Sequence, residues 1–157
     1  MDDRLVDKFF DSLENLDPLG TCMPGDIQRV RRRWSDTDAS HLPRLLSRLQ
    51  KALEYVAKSP PDYQSVATKI NSETIAFLCL EAICAIQRRP EDVPSAVRSC
   101  LCERDYSLRA KALAYVCRAE RVDQLSIACV KGVMRDGNAS IGNRLRAAWV
   151  LWKKKDL

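Results

Sequence analysis

No combination of side chains in this sequence of 157 residues clearly marks a nucleophilic or acid–base site. His41 is the only histidine, and it stands beside Ser40 at a predicted helix start. A Ser–His–Asp or Cys–His arrangement would therefore have to use this one imidazole. We expect His41 to lie at the surface or to cap a helix, and we predict no catalytic residue and no enzymatic activity.

Seven cysteines are present, and their spacing does not favour a metal site. Cys100 and Cys102 stand two residues apart, so in a helix they point to nearly opposite sides. Cys79 and Cys84 are five apart, and no Cys-x-x-Cys is present. The odd number and the apolar surroundings predict reduced, buried thiols that act as small hydrophobic side chains, with no metal and no cofactor.

Arginines form the most concentrated candidate binding group, which we call the N-terminal arginine cluster. Its members lie on the polar side of a short predicted helix and one turn apart on the next. They are Arg29, Arg31, Arg32, Arg33, Arg44 and Arg48. Guanidinium groups suit carboxylate and phosphate oxygens, so the cluster predicts either a protein partner with an acidic surface or a nucleic acid. A solvated face paired with Asp36 and Asp38, or a nuclear-import signal, would give the same pattern.

The C-terminal segment holds a second basic group and two tryptophans. Arg144, Arg146 and the lysines at 153–155 lie on or just after the last predicted helix, which also carries Trp149 and Trp152. Tryptophans at helical spacing usually belong to a core. Because a terminal helix has only one neighbour, an exposed tryptophan there would anchor a partner or a homodimer. Exposed aromatic residues of the kind that read single-stranded bases are not evident in the sequence.

Hydrophobic periodicity predicts helices along the whole chain, with no sustained alternation of period two. The low content of Gly (5) and Pro (7) also argues against an all-β fold. Asn71 and Ser72 are expected to cap a strongly apolar, central helix, and Asp136–Gly137 to end another. The nine predicted helices cover 3–16, a short stretch after Asp26, about 40–58, 61–70, 73–88, 92–103, 107–119, 122–135 and 140–154.

Helical pairs recur at intervals of about 31–37 residues in the C-terminal half, which is the range of helical repeats. The most regular stretch runs from Asp105 through Leu108, Arg109 and Ala112 to Val116. This order of an acidic residue, an aliphatic–Arg pair, a small residue and an aliphatic residue resembles the HEAT and armadillo type of helical repeat. A less regular copy has Arg144, Ala147 and Leu151 at matching positions, with Asn143 in place of the aliphatic residue.

The resemblance covers roughly residues 72–157 and implies a short right-handed α-solenoid. In such repeats the small residue permits close helix packing, and the Asp and Arg link adjacent turns or repeats. We expect one all-α domain over 1–157, with divergent helices at 1–70 and HEAT-like pairs at 72–157. A solenoid offers an extended surface, so the favoured function is a non-catalytic protein-interaction or adaptor module. The alternative is a basic RNA- or DNA-binding protein.

Composition limits the classes of protein that this chain can represent. Hydrophobic residues make up 46% and charged residues 30%, with a net charge of +5, as in an ordinary globular protein. No apolar run is long enough to cross a bilayer, and residues 1–4 do not begin a secretory signal. We therefore expect no membrane partner and a cytoplasmic or nuclear location. The Arg-rich, Cys-rich composition would also suit a virus-encoded regulatory or accessory protein.

Overall fold

The structure is a computed structural model, and it describes residues 38–58 and 63–155 together with the isolated positions 25, 28 and 32. Regular secondary structure in this part of the chain is helical throughout, without a strand. The all-α prediction is thereby confirmed for these residues. The predicted helix 3–16 lies outside them, and so does most of the short helix after Asp26. The chain divides into a first unit, Met1–Ile86, and a second unit, Gln87–Leu157.

Helix α1, Leu42–Lys58, follows a single 3₁₀ turn at Ala39–His41 in the first unit. Pro43 lies in its first turn, where its missing N–H breaks no helical hydrogen bond. The buried face recurs at intervals of three or four residues, as an amphipathic helix requires. It includes Leu45, Leu49, Leu53 and Val56. This face packs against the second helix of the unit.

Helix α2 is continuous from Tyr63 to Ile86, so the prediction of two helices separated by a cap at Asn71–Ser72 is wrong. Ser72 is buried within the helix instead of capping it. No Gly or Pro interrupts the segment, and the low helix propensities of Asn and Ser cost only about 0.7 kcal/mol or less each. Burial of the apolar residues between Ala76 and Cys84 outweighs that cost.

The second unit begins with a short helix, α3, at Ser95–Ser99, whereas the sequence predicted a helix over 92–103. Pro94 stands at the N-cap in an extended conformation and delays the start. Proline also disfavours the helical conformation for the residue before it, which keeps Val93 outside the helix. The helix ends at the turn that contains Cys100 and Cys102.

Three longer helices follow, and their bounds lie within two residues of the predicted ones. Their starts are fixed by a side-chain oxygen that accepts a hydrogen bond from the backbone N–H three residues ahead. Asp105, Asp123 and Ser140 provide these oxygens, at N···O distances of 2.7, 2.6 and 3.2 Å. The helices are α4, Tyr106–Arg118; α5, Gln124–Arg135; and α6, Ile141–Lys153.

Helix α5 ends at Arg135 as predicted, with Asp136 at its C-cap in an extended conformation. None of the described glycines has a positive φ, so Gly137 does not form the left-handed cap that its position suggested. The Asp136 carboxylate instead accepts hydrogen bonds from the backbone N–H of Asn138 and from the Arg109 guanidinium. It thus ends one helix and ties that end to α4.

The regular sequence stretch maps onto the buried side of α4. Leu108, Arg109, Ala112 and Val116 are all buried, and Arg109 contacts Asp136 at 2.8 Å. The Arg therefore links α4 to the end of α5, across 27 residues of sequence. The repeat's classification as HEAT-like, and the handedness of a solenoid, stay predictions.

A pair of backbone hydrogen bonds joins the two ends of the segment that contains α3 and α4. The N–H groups of Glu120 and Arg121 donate to the carbonyls of Pro90 and Glu91, at 2.9 and 2.8 Å. The Arg121 guanidinium also pairs with Glu91 and Asp92. This clasp closes residues 90–121 into a loop within the second unit.

Candidate functional site

Helix α6 has a buried side that is narrow and built from small or polar residues. Asn143, Ala147 and Val150 are buried where α6 packs against α4 and α5. The Asn143 amide donates a hydrogen bond to the Tyr106 carbonyl at 3.1 Å, which gives this buried polar side chain a partner. Ala147 is fully buried at this contact and has only a methyl group as its side chain, a size that permits close helix packing.

The opposite side of α6 carries four large apolar residues, and they face solvent. Ile141, Leu145, Trp149 and Trp152 recur at intervals of four, four and three residues, which places them on one face. Their exposed fractions are 75%, 66%, 56% and 66%. We call these four residues the apolar stripe. They make up four of the seven large hydrophobic residues that are exposed in the described part of the chain.

The two tryptophans of the stripe contact each other. Their ring centroids are 4.8 Å apart and their planes are tilted by 31°. A tilted pair of this kind is a favourable arrangement of aromatic rings. The expectation that Trp149 and Trp152 are most often core residues is therefore wrong for both, because the smaller residues Asn143, Ala147 and Val150 occupy the contact with α4 and α5.

Basic residues border the apolar stripe on both sides. Successive residues lie about 100° apart around a helix axis, which puts Arg144 on one side of the stripe and Arg146 and Lys153 on the other. No acidic residue occurs between Ile141 and Lys153. We call Arg144, Arg146 and Lys153 the cationic edges. The exposed face thus combines an apolar centre with positive charge along its length.

Two of the cationic edge residues are held in place by neighbouring groups. Arg146 donates a hydrogen bond to the Tyr106 hydroxyl at 3.0 Å, and its guanidinium carbon lies 5.9 Å from the Tyr106 ring centroid. Arg144 donates to the Met134 carbonyl at 3.3 Å. Side chains that are already ordered lose less conformational entropy when a partner binds.

The N-terminal arginine cluster is described only in part. Arg29, Arg31 and Arg33 lie outside the described residues. Arg32 and Arg44 are exposed and Arg48 is half-buried, and all three already have an interaction within the protein. Arg48 is close enough to Cys79 for its charge to act on that thiol. The predicted role of these arginines in binding a partner stays a prediction.

His41 lies in the 3₁₀ turn before α1 and takes part in its cap. Its Nδ1 accepts a hydrogen bond from the Asp38 backbone N–H at 3.1 Å, and the Asp38 carboxylate accepts one from the Ser40 backbone N–H. The Ser40 hydroxyl also donates to that carboxylate, and these two hydrogen bonds from Ser40, the hydroxyl's first, lower the pKa of the Asp38 carboxyl group. His41 therefore has the capping contact that we expected of it.

The cysteines are not all buried, contrary to the sequence-based expectation. Cys79, Cys84 and Cys100 are buried, and burial raises the pKa of the Cys79 thiol to about 12. Cys102, by contrast, is exposed in the turn after α3. Its sulfur lies 3.9 Å from that of the half-buried Cys129 on α5. Cys117 is half-buried, and Cys22 lies outside the described residues.

Two kinds of site are absent from the residues that the structure describes. No group of three or more His, Cys, Asp or Glu side chains is placed there to hold a metal ion. No helix there combines the length and the apolar character that a membrane span requires. Comparison of the chain with protein-family models, curated proteins and solved structures finds no match.

The sequence predicts Trp149 and Trp152 as possible anchors, but it does not assign Ile141, Leu145 and Tyr106 to the same surface. The signal was present, because the four apolar residues recur at helical spacing and cationic residues stand on both sides. What the sequence lacked was the direction in which this face points. Helical periodicity defines a stripe, and the same stripe can meet a core or a partner.

Proposed function

We propose that this chain is a non-catalytic protein-interaction module that binds an amphipathic helix of a partner protein along α6. The observation that carries this proposal is the exposed apolar stripe with its cationic edges. Contiguous exposed apolar residues that are rimmed by polar ones are typical of protein-interaction sites. The partner helix places apolar side chains on the stripe and acidic side chains against the edges.

The dimensions of the stripe suit a short helical segment. Ile141 and Trp152 are separated by about 17 Å along the axis, at about 1.5 Å per residue. A partner helix of about three turns spans that length. Such a helix would present residues at i, i+4, i+7 and i+11, the usual pattern of helix recognition in a groove or on a face.

Energetics favour a partner that uses the edges as well as the stripe. Burying one large apolar side chain contributes about 1.5–3 kcal/mol, whereas association costs roughly 4–15 kcal/mol in lost freedom of motion. Four anchors therefore support only modest affinity by themselves. Carboxylates placed against Arg144, Arg146 and Lys153 add attraction, faster association and a preferred orientation.

The charge of α6 argues against a second copy of this chain as the occupant. Two α6 helices packed face to face would bring cationic edges against cationic edges, with no acidic residue on either helix to separate them. Like charges at a desolvated contact are costly. We therefore favour an acidic partner protein over the homodimer that the exposed tryptophans would also permit.

Nucleic-acid binding is the second candidate, and one observation favours it. The two exposed tryptophans lie beside arginines, which is how several proteins stack and neutralise single strands. The rings of Trp149 and Trp152 cover part of each other, however, and bases stacked on them would leave Ile141 and Leu145 in water. The protein partner accounts for the whole stripe, so we place it first.

A pair of designed peptides tests the proposal on the full chain. Both are helix-stapled and carry the same leucine stripe, one with glutamates beside it and one with lysines. We expect tryptophan fluorescence to report saturable binding of the glutamate peptide only. The affinity for the glutamate peptide is expected to fall at least tenfold in the double variant Trp149→Ala/Trp152→Ala. Because that variant lacks the reporting tryptophans, its binding is measured by calorimetry. Equal binding of both peptides, or of neither, would refute the proposed occupant.

Leu125→Ala is the matched control, because Leu125 on α5 is 65% exposed and lies outside the stripe. It is expected to leave binding of the glutamate peptide unchanged. A single-stranded oligonucleotide replaces the peptide in a second arm. Tight, salt-dependent oligonucleotide binding that needs both tryptophans would favour the nucleic-acid function instead.

The predicted role of the N-terminal arginine cluster is tested with Arg44→Glu, whose binding of the same peptide and oligonucleotide is measured in parallel. The cytoplasmic or nuclear location stays a prediction.

A further inference from the structure

Cys102 and Cys129 form a thiol pair that neither the repeat nor the α6 surface explains. Their sulfur atoms lie 3.9 Å apart, although the residues are 27 positions apart in sequence. Cys102 belongs to the turn after α3, and Cys129 to the half-buried side of α5. A disulfide requires a sulfur separation of about 2.05 Å, so the atoms must approach by about 2 Å. A side chain on an exposed turn can provide a movement of that size.

The two thiols differ in access to solvent. Cys102 is the exposed one among the six described cysteines, and Cys129 is half-buried. A small disulfide in solution can therefore reach Cys102 first. Burial raises the pKa of the Cys129 thiol, and a negative charge on Cys102 raises it further, while the nearby Arg98 acts in the opposite direction. The thiolate that attacks first is thus expected at Cys102.

We propose that Cys102 and Cys129 are a reversible redox site that forms an intramolecular disulfide by exchange with a low-molecular-weight disulfide such as oxidised glutathione. The Cys102 thiolate attacks one sulfur of that disulfide, a mixed disulfide forms, and the first small thiolate leaves. The Cys129 thiolate then attacks the Cys102 sulfur and expels the second. The protein loses two thiol protons and two electrons, and the small disulfide is reduced to two thiols.

The first step prepares the second. Once Cys102 is part of a mixed disulfide it carries no charge, so one of the influences that raise the Cys129 pKa is removed. The salt bridge between Arg98 and Asp123, at 2.8 Å, places one positive and one negative group near Cys129, of which Arg98 lowers and Asp123 raises the pKa of its thiol. The disulfide joins the turn ahead of α4 to α5, one of the two helices on which α6 packs.

Mass spectrometry of the full chain tests this site. Reduced, folded protein is exposed to oxidised glutathione, quenched in acid, alkylated and digested with trypsin. We expect two of the seven thiols to be lost, and a link between the peptides 99–104 and 122–131. Because the first peptide also holds Cys100, fragmentation assigns the linked sulfur. The link is expected to dissolve on addition of dithiothreitol.

Variants separate the two steps. Cys129→Ser is expected to stop at the mixed disulfide, with one glutathionyl group on Cys102, and Cys102→Ser is expected to abolish the link. Cys117→Ser, which changes another half-buried cysteine, is the matched control and should keep it. A Cys100–Cys102 link, a wild-type protein that stays glutathionylated at Cys102, or seven unreacted thiols would each overturn the proposal. When the protein is unfolded in urea before oxidation, we expect a mixture of disulfides among its cysteines in place of the single Cys102–Cys129 disulfide.

Discussion

Helices α2 and α6 both carry many large apolar residues, but they use them in opposite ways. From Ser72 to Cys84, α2 buries most of its residues in the first unit. In the second unit, α6 buries Asn143, Ala147 and Val150 and exposes Ile141, Leu145, Trp149 and Trp152. One helix is a structural core element, and the other has its larger apolar face open to solvent.

The distribution of charge explains how α6 tolerates that exposure. Between Ile75 and Ile86, α2 has Glu81 as its single charged residue, so nothing on that stretch competes with burial. On α6 the cationic residues stand directly beside the apolar stripe. These charged side chains keep water at the borders of the stripe, and repulsion between the cationic residues of two copies disfavours self-association. Apolar content alone therefore does not distinguish a core helix from a binding helix, whereas the position of charge around the axis does.

The largest expected effect comes from removing a buried side chain of α2. Leu78 has no exposed surface, so Leu78→Ala leaves a cavity and should lower the free energy of unfolding by about 2–5 kcal/mol. Urea denaturation followed by circular dichroism measures the change. An effect below that range would mean that α2 is not the core helix that the comparison requires.

The buried side of α6 provides the next effect. Ala147 is fully buried against neighbouring helices, so Ala147→Leu should overpack the contact and cost about 1–3 kcal/mol. Ala148→Leu makes the same change at the next, exposed position and is expected to be nearly neutral. Equal effects of the two variants in urea denaturation would contradict the assignment of buried and exposed sides.

Acid should weaken the second unit by a smaller amount. The backbone N–H of Ser126 donates a hydrogen bond to the Asp123 carboxylate, and this lowers the pKa of that carboxyl group. The backbone N–H of Asn138 does the same for Asp136. The guanidinium groups of Arg98 and Arg109 lower the two pKa values further. A lowered pKa in the folded state means that the stabilisation is complete above the unfolded-state pKa, about 3.9, and is lost as the pH falls through the folded value.

The change in melting temperature between about pH 5 and pH 2 measures this contribution. Asp136→Asn keeps an acceptor for the Asn138 N–H but removes the charge that pairs with Arg109. Its melting temperature should lie below that of the wild type at neutral pH, and the difference should shrink in acid. A difference that stays constant with pH would show that the Asp136 charge is not responsible.

The smallest effect on stability is expected at the apolar stripe. Leu145→Ala makes the same chemical change as Leu78→Ala, but at an exposed position, so the free energy of unfolding should change by no more than about 0.5 kcal/mol. The same variant should weaken binding of the glutamate peptide. A large loss of stability in urea denaturation would indicate that the stripe is covered by the protein itself.

Much of the local structure could be predicted from the sequence. The starts of α4, α5 and α6 follow from Asp105, Asp123 and Ser140, because a capping side chain acts on N–H groups two or three residues away. The continuity of α2 could not be predicted, since the burial that overrides the Asn71–Ser72 signal depends on distant parts of the chain.

The candidate surface was predictable in composition but not in orientation. Spacing alone groups Ile141, Leu145, Trp149 and Trp152, yet which face of α6 meets α4 and α5 depends on how well small residues such as Ala147 fit those helices. The contact between Cys102 and Cys129 could not be predicted from the sequence either. Local patterns do not show which side chains meet across 27 residues.

The clasp between Pro90–Glu91 and Glu120–Arg121 has a consequence for how the second unit can vary. It holds together the two ends of residues 90–121, so residues inserted at the turn at Glu103–Arg104 would lie within a loop that is already closed. The entropy of closing such a loop grows only slowly with added residues. Evolution or an engineer could lengthen this turn, or graft a tag there, while the anchored ends keep their register.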